Sequence, residues 1–446
     1  MTDETPPSKS SFLDRWFLLS ERGTNVRTEI LGGATTFAAM AYIIVVNPGI
    51  LATPGTGIPF SGAMTATVLI AFSMTLLMGL YARLPFAVAP GMGLNAYFAF
   101  TIVLKNKVPW QTALGIVFWS GVLFLLVSAT PLREQIALAI PSSLRSAAAA
   151  GIGLLLTFIG LRSTGLIVSD PSTIVRMGAL DHRAALLLVG LVVAVALMRR
   201  NNPLAFLAAI FVSTALAWLL GYEKPPAQPL SAPDFSSAFL ALDVRGAFRL
   251  ALLPAIVGIF FTDLFDSLST FIGVAKAARL TDDNGRPINL RRGLIVDAIA
   301  TLTSGLAGTS PGTAYVESVA GIRMGGRSGR ASVVTALCFL PCFFLGPLAA
   351  AVPGYATAAV LILVGVTMFH SMTAIDFSSL EDAVPAFVTV VLIPLTLSIT
   401  QGILWGFLLH ALLYLVAGRW RELSVTVWLL ALLAAGLLVL SYNPTS

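Results

Sequence analysis

Hydrophobic and polar positions divide the chain into a series of long apolar runs separated by short polar stretches. A helix needs about 20 apolar residues to cross a bilayer core of about 30 Å. Runs that meet or approach this length predict membrane spans at 29–51, 63–81, 110–129, 144–161, 184–198, 203–220, 250–275, 293–308, 332–350, 355–372, 383–399 and 402–415. Two further apolar segments, 84–104 and 309–322, contain a Pro-Gly pair and predict broken spans. The pattern therefore predicts an all-α polytopic membrane protein with about fourteen segments.

The fourteen segments form two sets of seven on either side of a Pro-rich stretch. This order predicts five regions: a cytoplasmic tail at 1–28, a first seven-segment repeat at 29–220, a linker at 221–245, a second repeat at 246–421 and a final piece at 422–446. Because seven is an odd number, the second repeat has to enter the membrane with inverted topology. The final piece contains one more apolar run, 424–440, whose pattern fits a further span and a surface helix equally well.

The two broken spans occupy the third position of each repeat. Their Pro-Gly pairs are Pro90-Gly91 and Pro311-Gly312. Backbone that leaves the helix inside a membrane is tolerated where protein buries it or where it lines a cavity. Paired interruptions at corresponding positions are typical of transporters built from inverted repeats, in which half-helix N-termini face the bound solute. Two kinks in packed helices are the alternative, and the register of the two breaks favours a binding site.

Charge adds an orientation to this arrangement. The chain is 57% hydrophobic and only 11% charged, with a net charge of +6. Arg15, Arg22 and Arg27 precede the first span, and the loop 276–292 is rich in basic residues, including Arg286. The positive-inside rule therefore places the N-terminus and this loop in the cytoplasm. Three arginines fit less well, because they fall in a loop predicted to lie outside: Arg162, Arg176 and Arg183.

Four acids lie within predicted spans: Asp263, Asp266, Asp297 and Glu317. A charged side chain at the centre of a bilayer costs about 2.5–3.5 kcal/mol even on the insertion scale, so acids at this depth are candidates for function. Asp297 lies one turn inside its span, beside Arg291 and Arg292, and we expect it to pair with them or to reach the membrane surface. Glu317 follows the second Pro-Gly break and is the acid that we expect to contact the solute.

Asp263 and Asp266 are three residues apart and share one helix face. Burial and a neighbouring like charge both favour the protonated form, so we do not expect both to be ionised. One of them can then hold a proton, as a proton-coupled carrier requires. The alternative is a hydrogen bond from Asp263 to a Ser or Thr of another helix. Flanking phenylalanines, in the stretch "GIFFTDLFDSLSTFIGVA", are predicted to stack on a flat ring.

The polar residues near these acids are small and uncharged. They include Thr35, Thr36, Tyr42, Asn95, Ser269 and Thr270. No Lys or Arg joins them in the sequence, which predicts a site for a neutral, flat, hydrogen-bonding solute. The sequence also lacks a phosphate loop, a catalytic triad and a metal-binding cluster. We therefore expect no enzyme activity, no catalytic residue, no metal and no cofactor.

Several long motifs, in order along the chain, resemble the azaguanine-type purine permeases of the nucleobase–ascorbate transporter superfamily. They are "GGATTFAAMAYIIVVNPGIL", "APGMGLNAYFAF", "FFTDLFDSLSTFIGVA", "GTSPGTAYVESVAG" and "EDAVPAFVTVVLIPLTLSITQGI". The resemblance implies two inverted seven-segment repeats, divided into a core domain and a gate domain, with strand and half-helix elements in segments three and ten. It also implies proton-coupled uptake of adenine, guanine and hypoxanthine by alternating access, with H⁺ as the coupling ion.

In this superfamily an acid on the eighth span and an acid on the tenth hold the base. The matching positions here are Asp266 and Glu317, and residues of the first and third segments complete the pocket. The candidate substrate-binding residues are Thr36, Tyr42, Gly93, Asn95, Asp266, Thr270, Tyr315 and Glu317. The candidate proton-coupling residues are Asp263, Asp266 and Glu317, with Asp266 sharing a proton with Asp263. The chain departs from the family pattern at Ser269 and at 310–313, which leaves the preferred purine open.

The sequence also leaves other functions open. A uracil or xanthine permease is the nearest, and an anion exchanger of the same fold, a channel and a membrane enzyme are more distant. The expected partners are a purine base and the lipid bilayer, with a homodimer left open. Nucleic acid is not expected, because no basic stripe with interleaved aromatic residues is present. The expected location is the cell membrane, as a multi-pass protein.

Overall fold

The computed structural model describes the chain in three stretches, 16–130, 141–281 and 287–442. Some predictions fall outside them: those for Arg15, for Arg286 and for the outer parts of the predicted tail and final piece. Within the described stretches, eight helices are long and apolar enough to cross a membrane, judged by length and composition. Shorter helices and broken segments lie between them.

The first seven segments contain eight helices and a short strand. The first span is divided at Ala41-Tyr42 into two helices, and the third is divided into a strand and a half-helix. Their bounds are α1 Val26–Met40, α2 Ile43–Leu51, α3 Phe60–Leu77, β1 Val88–Pro90, α4 Met92–Ala96, α5 Trp110–Ala129, α6 Ser142–Ser163, α7 His182–Arg199 and α8 Ala205–Leu219. Two of these continue in wider π-helical turns: α3 to Met78–Ala82 and α4 to Tyr97–Lys105.

The second seven segments repeat this order. A short helix, α9 (Val244–Ala247), precedes them; two of the helices continue in 3₁₀ turns and one begins with such a turn. Their bounds are α10 Leu253–Ala278, α11 Leu290–Ala307, β4 Gly312–Ala314, α12 Ser318–Arg323, α13 Gly329–Phe339, α14 Gly346–Ala350, α15 Gly354–Phe369, α16 Leu380–Thr396 and α17 Ile399–Val416. The prediction of an all-α membrane fold with strand and half-helix breaks in segments three and ten is confirmed.

Two features differ from the predicted pattern. The loop after the fifth span contains a hairpin of β2 (Ile167–Asp170) and β3 (Ile174–Met177), because β-branched residues flank an Asp-Pro turn. The last apolar run is a helix, α18 (Val425–Tyr442), which packs against α17 and α10. Its buried residues recur at helical spacing and include Val427, Leu430, Ala434 and Leu437.

The two breaks meet as an antiparallel pair of strands. Val88 lies opposite Ala314, Ala89 opposite Thr313 and Pro90 opposite Gly312. Outward-facing polar groups of a strand buried in a membrane need partners, since no water is available. On β1 the hydroxyl of Thr75, from the second span, contacts both the N–H and the C=O of Val88, each at 2.9 Å. On β4 the corresponding groups contact side chains of α11, the ninth span.

The spans form two bundles. The core bundle consists of spans one to four and eight to eleven, and the gate bundle of spans five to seven and twelve to fourteen. Small residues allow close approach within each bundle. In the gate, a Cβ placed on Gly153 of α6 would lie 2.5 Å from the carbonyl oxygen of Gly365 on α15. The paired breaks lie in the core bundle, and α4 faces the gate.

The linker between the repeats is fixed to the second span. Asp234 accepts hydrogen bonds from the hydroxyls of Ser61, at 2.7 Å, and Ser237, at 2.6 Å. These bonds, that from Ser237 first, hold the pKa of the Asp234 carboxyl well below its usual range. The linker therefore spans the two repeats as an ordered loop at the end of α3.

Candidate functional site

A cavity lies where the paired breaks meet the eighth span and face the gate. Counted with its opening, it encloses about 480 Å³. The residues that line it are Tyr42, Gly91, Met92, Gly93, Asp266, Thr270, Thr313, Ala314, Tyr315, Val316, Glu317, Val364, Thr367 and Met368. Among these described residues two carry acids and none is Lys, Arg or His, so the cavity suits an uncharged solute with hydrogen-bond donors.

Glu317 occupies the position immediately before the half-helix α12. Its Oε1 accepts a hydrogen bond of 2.5 Å from the hydroxyl of Tyr42, which lies at the division between α1 and α2. Tyr42 is fully buried, and its ring meets the ring of Phe206 edge-on, with centroids 5.2 Å apart. The Glu317 carboxyl group is thus oriented by a side chain whose own position is fixed by packing.

Asp266 faces the cavity from α10 without such support. Among the described residues, none forms a hydrogen bond with its carboxyl group, whereas Glu317 has the bond from Tyr42. Asp266 also borders a second, smaller cavity of about 300 Å³ towards α6, together with Ser269 and Arg145. The two acids therefore differ: Glu317 is oriented before a solute arrives, whereas Asp266 is available to a solute on one side and to the core–gate boundary on the other.

Three other predicted binding residues also line the cavity: Gly93, Thr270 and Tyr315. The hydroxyl of Tyr315 donates to the carbonyl oxygen of Pro90 and so connects the two breaks. Gly93 lies against the gate, where an added Cβ would be 2.5 Å from Cγ2 of Ile152 on α6. Only glycine allows α4 to approach α6 this closely.

Thr36 and Asn95 are buried but do not line the cavity. Thr36 packs behind α12, where its Oγ1 would be 2.1 Å from a Cβ added to Gly321. Asn95 donates from Nδ2 to Oδ1 of Asn47 at 3.1 Å. Asn47 in turn donates to the hydroxyls of Thr67, at 2.8 Å, and Thr309, at 2.9 Å. Both predicted residues thus support the walls of the site.

Asp263 does not pair with Asp266, contrary to the expectation of a shared proton. It faces α11, where its Oδ2 contacts the hydroxyl of Thr301. Asp297 was expected to pair with Arg291 or Arg292, and this is wrong as well. Asp297 is fully buried and accepts hydrogen bonds from the hydroxyl of Ser267 and, at 2.9 Å, from the backbone N–H of Ala314.

The phenylalanines that were predicted to stack on the solute do not line this cavity, although Phe265 borders the smaller one beside Asp266. Phe265 packs against Phe261, with ring centroids 5.8 Å apart, and against Phe407, at 6.4 Å. The aromatic side chains that line the cavity are Tyr42 and Tyr315. A flat solute would therefore meet tyrosine rings, together with the thioethers of Met92 and Met368.

Sequence reasoning missed the gate side of the site. Val364, Thr367 and Met368 line the cavity from α15, at helical spacing. The run that contains them is uniformly apolar apart from threonines, so no local signal marks this face. Asn47 was missed although a signal existed, because an amide group in the middle of a span needs partners.

Two larger openings lie between the core and the gate, and one of them adjoins the site. One, of about 1660 Å³, shares Val316, Glu317, Val364 and Thr367 with the cavity and extends to Asn201 and Arg323. The other, of about 1410 Å³, lies at the opposite ends of the first and fifth spans and is lined by Ile50, Thr53 and Arg162, among others. The site therefore communicates with one face of the molecule between the core and the gate.

A polar site at two crossing half-helices, placed between a core and a gate bundle, defines a membrane transport protein of the inverted-repeat class. Residues 27–404 match the family described as "Permease family" (Xan_ur_permease). The chain belongs to this permease family, whose members are membrane transporters and not enzymes. The resemblance found in the motifs is thereby confirmed.

Curated relatives match over nearly the whole chain. A "Putative permease MJ0326" of Methanocaldococcus jannaschii is 43% identical over 95% of this chain and 97% of its own length. "Adenine permease AdeP" of Escherichia coli (strain K12) is 41% identical, with 96% of each chain covered. "Guanine/hypoxanthine permease PbuO" of Bacillus subtilis (strain 168) is 38% identical over 94% of this chain and 98% of its own.

Solved structures with little sequence identity share the fold. The transmembrane domain of a cyanobacterium bicarbonate transporter, BicA, superimposes with a TM-score of 0.63 at 19% identity, covering 85% of this chain and 97% of that chain. SLC26A9 superimposes with a TM-score of 0.60 at 12% identity, covering 91% and 68%. At these identities the likeness concerns the inverted-repeat architecture alone.

Proposed function

We propose that the chain imports purine bases, namely guanine, hypoxanthine or adenine, across the cell membrane together with protons. Relatives named as an adenine permease and a guanine/hypoxanthine permease are 41% and 38% identical over nearly the full length. The observation that carries the proposal is that Glu317 and Asp266 face one cavity from two different spans. Purine bases present hydrogen-bond donors on two edges of a flat ring, which such an arrangement fits.

Glu317 is the proposed acceptor for the pyrimidine edge of the base. In guanine, N1–H and the exocyclic amine point in parallel and match the two oxygens of a carboxylate, whereas hypoxanthine offers N1–H alone. Tyr42 holds one of these oxygens through its 2.5 Å bond. Adenine has no hydrogen on N1, so it needs a protonated acid or binds by another edge. We expect a preference for guanine and hypoxanthine over adenine on this ground.

Asp266 is the proposed acceptor for the opposite edge and one of the groups that take part in proton coupling. The Asp266 side chain is half-buried and lies between the main cavity and the smaller cavity towards α6. A base and a proton that enter the main cavity can therefore both reach its carboxyl group. Protonation removes a charge that would oppose movement of the core past the apolar gate. Alternating access then consists of the core sliding against the gate, with α4 and α6 as one of the surfaces that separate.

The two departures from the family pattern bear on the purine in different ways. Ser269 borders the smaller cavity beside Asp266 and does not line the main cavity. In 310–313, Ser310 donates to Oδ1 of Asn47 at 3.1 Å, and Thr313 lines the main cavity. We expect substitution of Thr313 to alter the choice of base more than substitution of Ser269.

The test is uptake of labelled guanine, hypoxanthine, adenine and uracil by cells expressing the protein, with and without a protonophore. We expect saturable purine uptake that the protonophore abolishes. Glu317→Gln should reduce it by about tenfold to a hundredfold, since hydrogen bonds to a charged group contribute about 1.5–3 kcal/mol. Glu21→Gln, at the exposed N-terminal segment, is the matched control. Unchanged purine uptake in both Glu317→Gln and Asp266→Asn would contradict the proposal, and uptake of uracil alone would favour a pyrimidine permease.

The proposed orientation has the N-terminus in the cytoplasm. Basic residues at the ends of α1, α10, α11 and α12 support it, because they share one side of the membrane in the fourteen-span order. Labelling of a cysteine introduced at Glu21 in intact and permeabilised cells tests it. Labelling only after permeabilisation is expected, and labelling of intact cells would reverse the orientation.

A further inference from the structure

Behind the strand β4, two acids are buried side by side on neighbouring spans. Asp263 on α10 and Asp297 on α11 are both 0% exposed. Neither lines the cavity, and among the described residues no Lys, Arg or His forms an ion pair with either. Two ionised carboxylates without a counter-charge are strongly unfavourable at this depth. The hydrogen bonds around the acids indicate which of the two holds a proton.

Thr301 is the residue that decides the assignment. Its hydroxyl contacts Oδ2 of Asp263 and, at 3.0 Å, the carbonyl oxygen of Gly312. A hydroxyl has one hydrogen to donate. If Asp263 were ionised, both partners would be acceptors, and one of them would be left without a hydrogen. If Asp263 is protonated, it donates to Thr301, and Thr301 donates to Gly312, so that both contacts are hydrogen bonds.

Among the described residues, the carbonyl oxygen of Gly312 has no donor besides Thr301. Gly91 donates to Pro311 and Tyr315 donates to Ala87, so Gly312 and Pro90 form a non-hydrogen-bonded pair, and this carbonyl points away from β1. Oδ1 of Asp263 is buried without a hydrogen-bond partner in the described part of the chain. An unpaired carbonyl oxygen of a neutral acid costs less than an unpaired oxygen of a carboxylate. This observation independently favours a proton on Asp263.

Asp297 has the opposite surroundings. It accepts from the hydroxyl of Ser267 and from the N–H of Ala314, which is the environment of an ionised carboxylate. Ser267 can in turn accept a hydrogen from Thr313 at 3.0 Å. The other titratable group near the pair is Asp266 of α10, which itself faces the cavity; among the residues of β4 none is titratable.

We propose that Asp263 is protonated and donates to the hydroxyl of Thr301, which in turn donates to the carbonyl oxygen of Gly312. These two hydrogen bonds fix the strand that forms one wall of the cavity. Asp297 is the ionised partner that fixes the same strand at Ala314. Loss of the proton leaves the Gly312 carbonyl without a donor and releases β4, whose next residues, Thr313 to Tyr315, line the cavity. Thr301 is a positioning residue in this device. The assignment of the proton stands by itself, whereas its part in coupling rests on the proposed function.

Infrared spectroscopy of the purified full-length protein at neutral pH tests the assignment without any substrate. The background variant is Asp266→Asn/Glu317→Gln, which removes the two acids of the cavity. We expect a carbonyl band of a protonated carboxylic acid in this background and its loss when Asp263→Asn is added. Thr301→Val should shift the band and Thr301→Ser should restore its position. A band that persists with Asp263→Asn and disappears with Asp297→Asn, or no band at all in the background, would overturn the proposal.

Uptake measurements in proteoliposomes test the coupling. Thr301→Val is expected to raise KM for the base by about tenfold, since it leaves a buried carbonyl without a donor. Thr301→Ser is expected to keep KM close to the wild-type value. Asp263→Asn is expected to remove the stimulation of uptake by an inward proton gradient. A gradient response that survives Asp263→Asn would overturn the coupling role. If the wild-type protein transports no purine, the proposed function fails while the infrared result still decides the position of the proton.

Discussion

The hydroxyl of Tyr42 donates to Oε1 of Glu317 at 2.5 Å, and this bond joins the division of the first span to the break of the tenth. Both residues line the cavity, and Tyr42 is buried between the core and Phe206 of the gate. The bond uses one lone pair of Oε1 and leaves the other lone pair of Oε1, together with Oε2, for a solute. It therefore links the orientation of the acid to the packing of the first span.

Tyr42→Phe should weaken binding of guanine while leaving the fold intact. The ring and its contact with Phe206 are retained, but Glu317 loses its fixed donor. A hydrogen bond to a charged group contributes about 1.5–3 kcal/mol, so we expect Kd to rise by about tenfold to a hundredfold. The measurement is equilibrium binding of labelled guanine to purified protein. Tyr222→Phe is the control, because Tyr222 is exposed and stacks on His182 outside the site. An equal Kd for Tyr42→Phe and wild type would contradict the role of the bond.

Gly93→Ala should disturb the contact between the core and the gate. The added methyl would lie 2.5 Å from Cγ2 of Ile152, and overpacking of this kind costs about 1–3 kcal/mol. The cost applies to the arrangement in which α4 touches α6, so we expect the purine uptake rate to fall by about fivefold or more. The double variant Gly93→Ala/Ile152→Ala should recover most of the rate, because it removes the opposing methyl group.

The control for that experiment is Gly273→Ala, on the eighth span. A Cβ at Gly273 meets nothing within 4 Å, so the uptake rate should stay close to wild type. Failure of Ile152→Ala to rescue Gly93→Ala would show that the glycine is needed for a reason other than the α4–α6 approach, such as direct contact with the base.

Asn95→Ala should act on stability more than on affinity. Asn95 lies behind the cavity and donates to Asn47, which connects α2 to Thr67 and Thr309. Loss of a buried partner costs about 1–3 kcal/mol, so we expect a lower melting temperature with KM changed by less than about threefold. Asn47→Ala should give the same pattern. A large rise in KM for Asn95→Ala alone would instead indicate contact with the base in another conformation of the carrier.

The sequence pattern predicts the breaks and their acids because Pro-Gly pairs and intramembrane carboxylates are rare in apolar spans. It cannot predict which way each helix face points. Asp263 and Asp266 are separated by about 60° around the helix axis, so one faces α11 and the other faces the cavity. For the same reason, the sequence does not show that Thr36 and Asn95 lie behind the cavity wall. Thr367 on α15 was missed because the packing of the two bundles, and not a local motif, brings it to the site.

Glu29 shows how a residue at the edge of a predicted span can be structural. It lies in the first turn of α1 and is 0% exposed. Its carboxylate accepts hydrogen bonds from the backbone N–H groups of Arg327 at 2.8 Å, Ser328 at 3.1 Å and Ala331 at 3.0 Å. These donors belong to the first turn of α13 and the residues before it. A carboxylate at a helix N-terminus satisfies N–H groups that have no partner within the helix.

Glu29→Gln should therefore lower the stability of the core bundle. The amide keeps one acceptor oxygen, but its NH₂ group then faces backbone donors, so at least one charge-assisted bond is lost. We expect the free energy of unfolding to fall by about 1.5–3 kcal/mol. Thermal unfolding of the purified protein in detergent measures this, with Glu21→Gln as the control because Glu21 lies on the same N-terminal segment without these bonds. Uptake per folded molecule should stay near wild type, since Glu29 does not line the cavity. An unchanged melting temperature for Glu29→Gln would show that the three bonds do not stabilise the junction of α1 and α13.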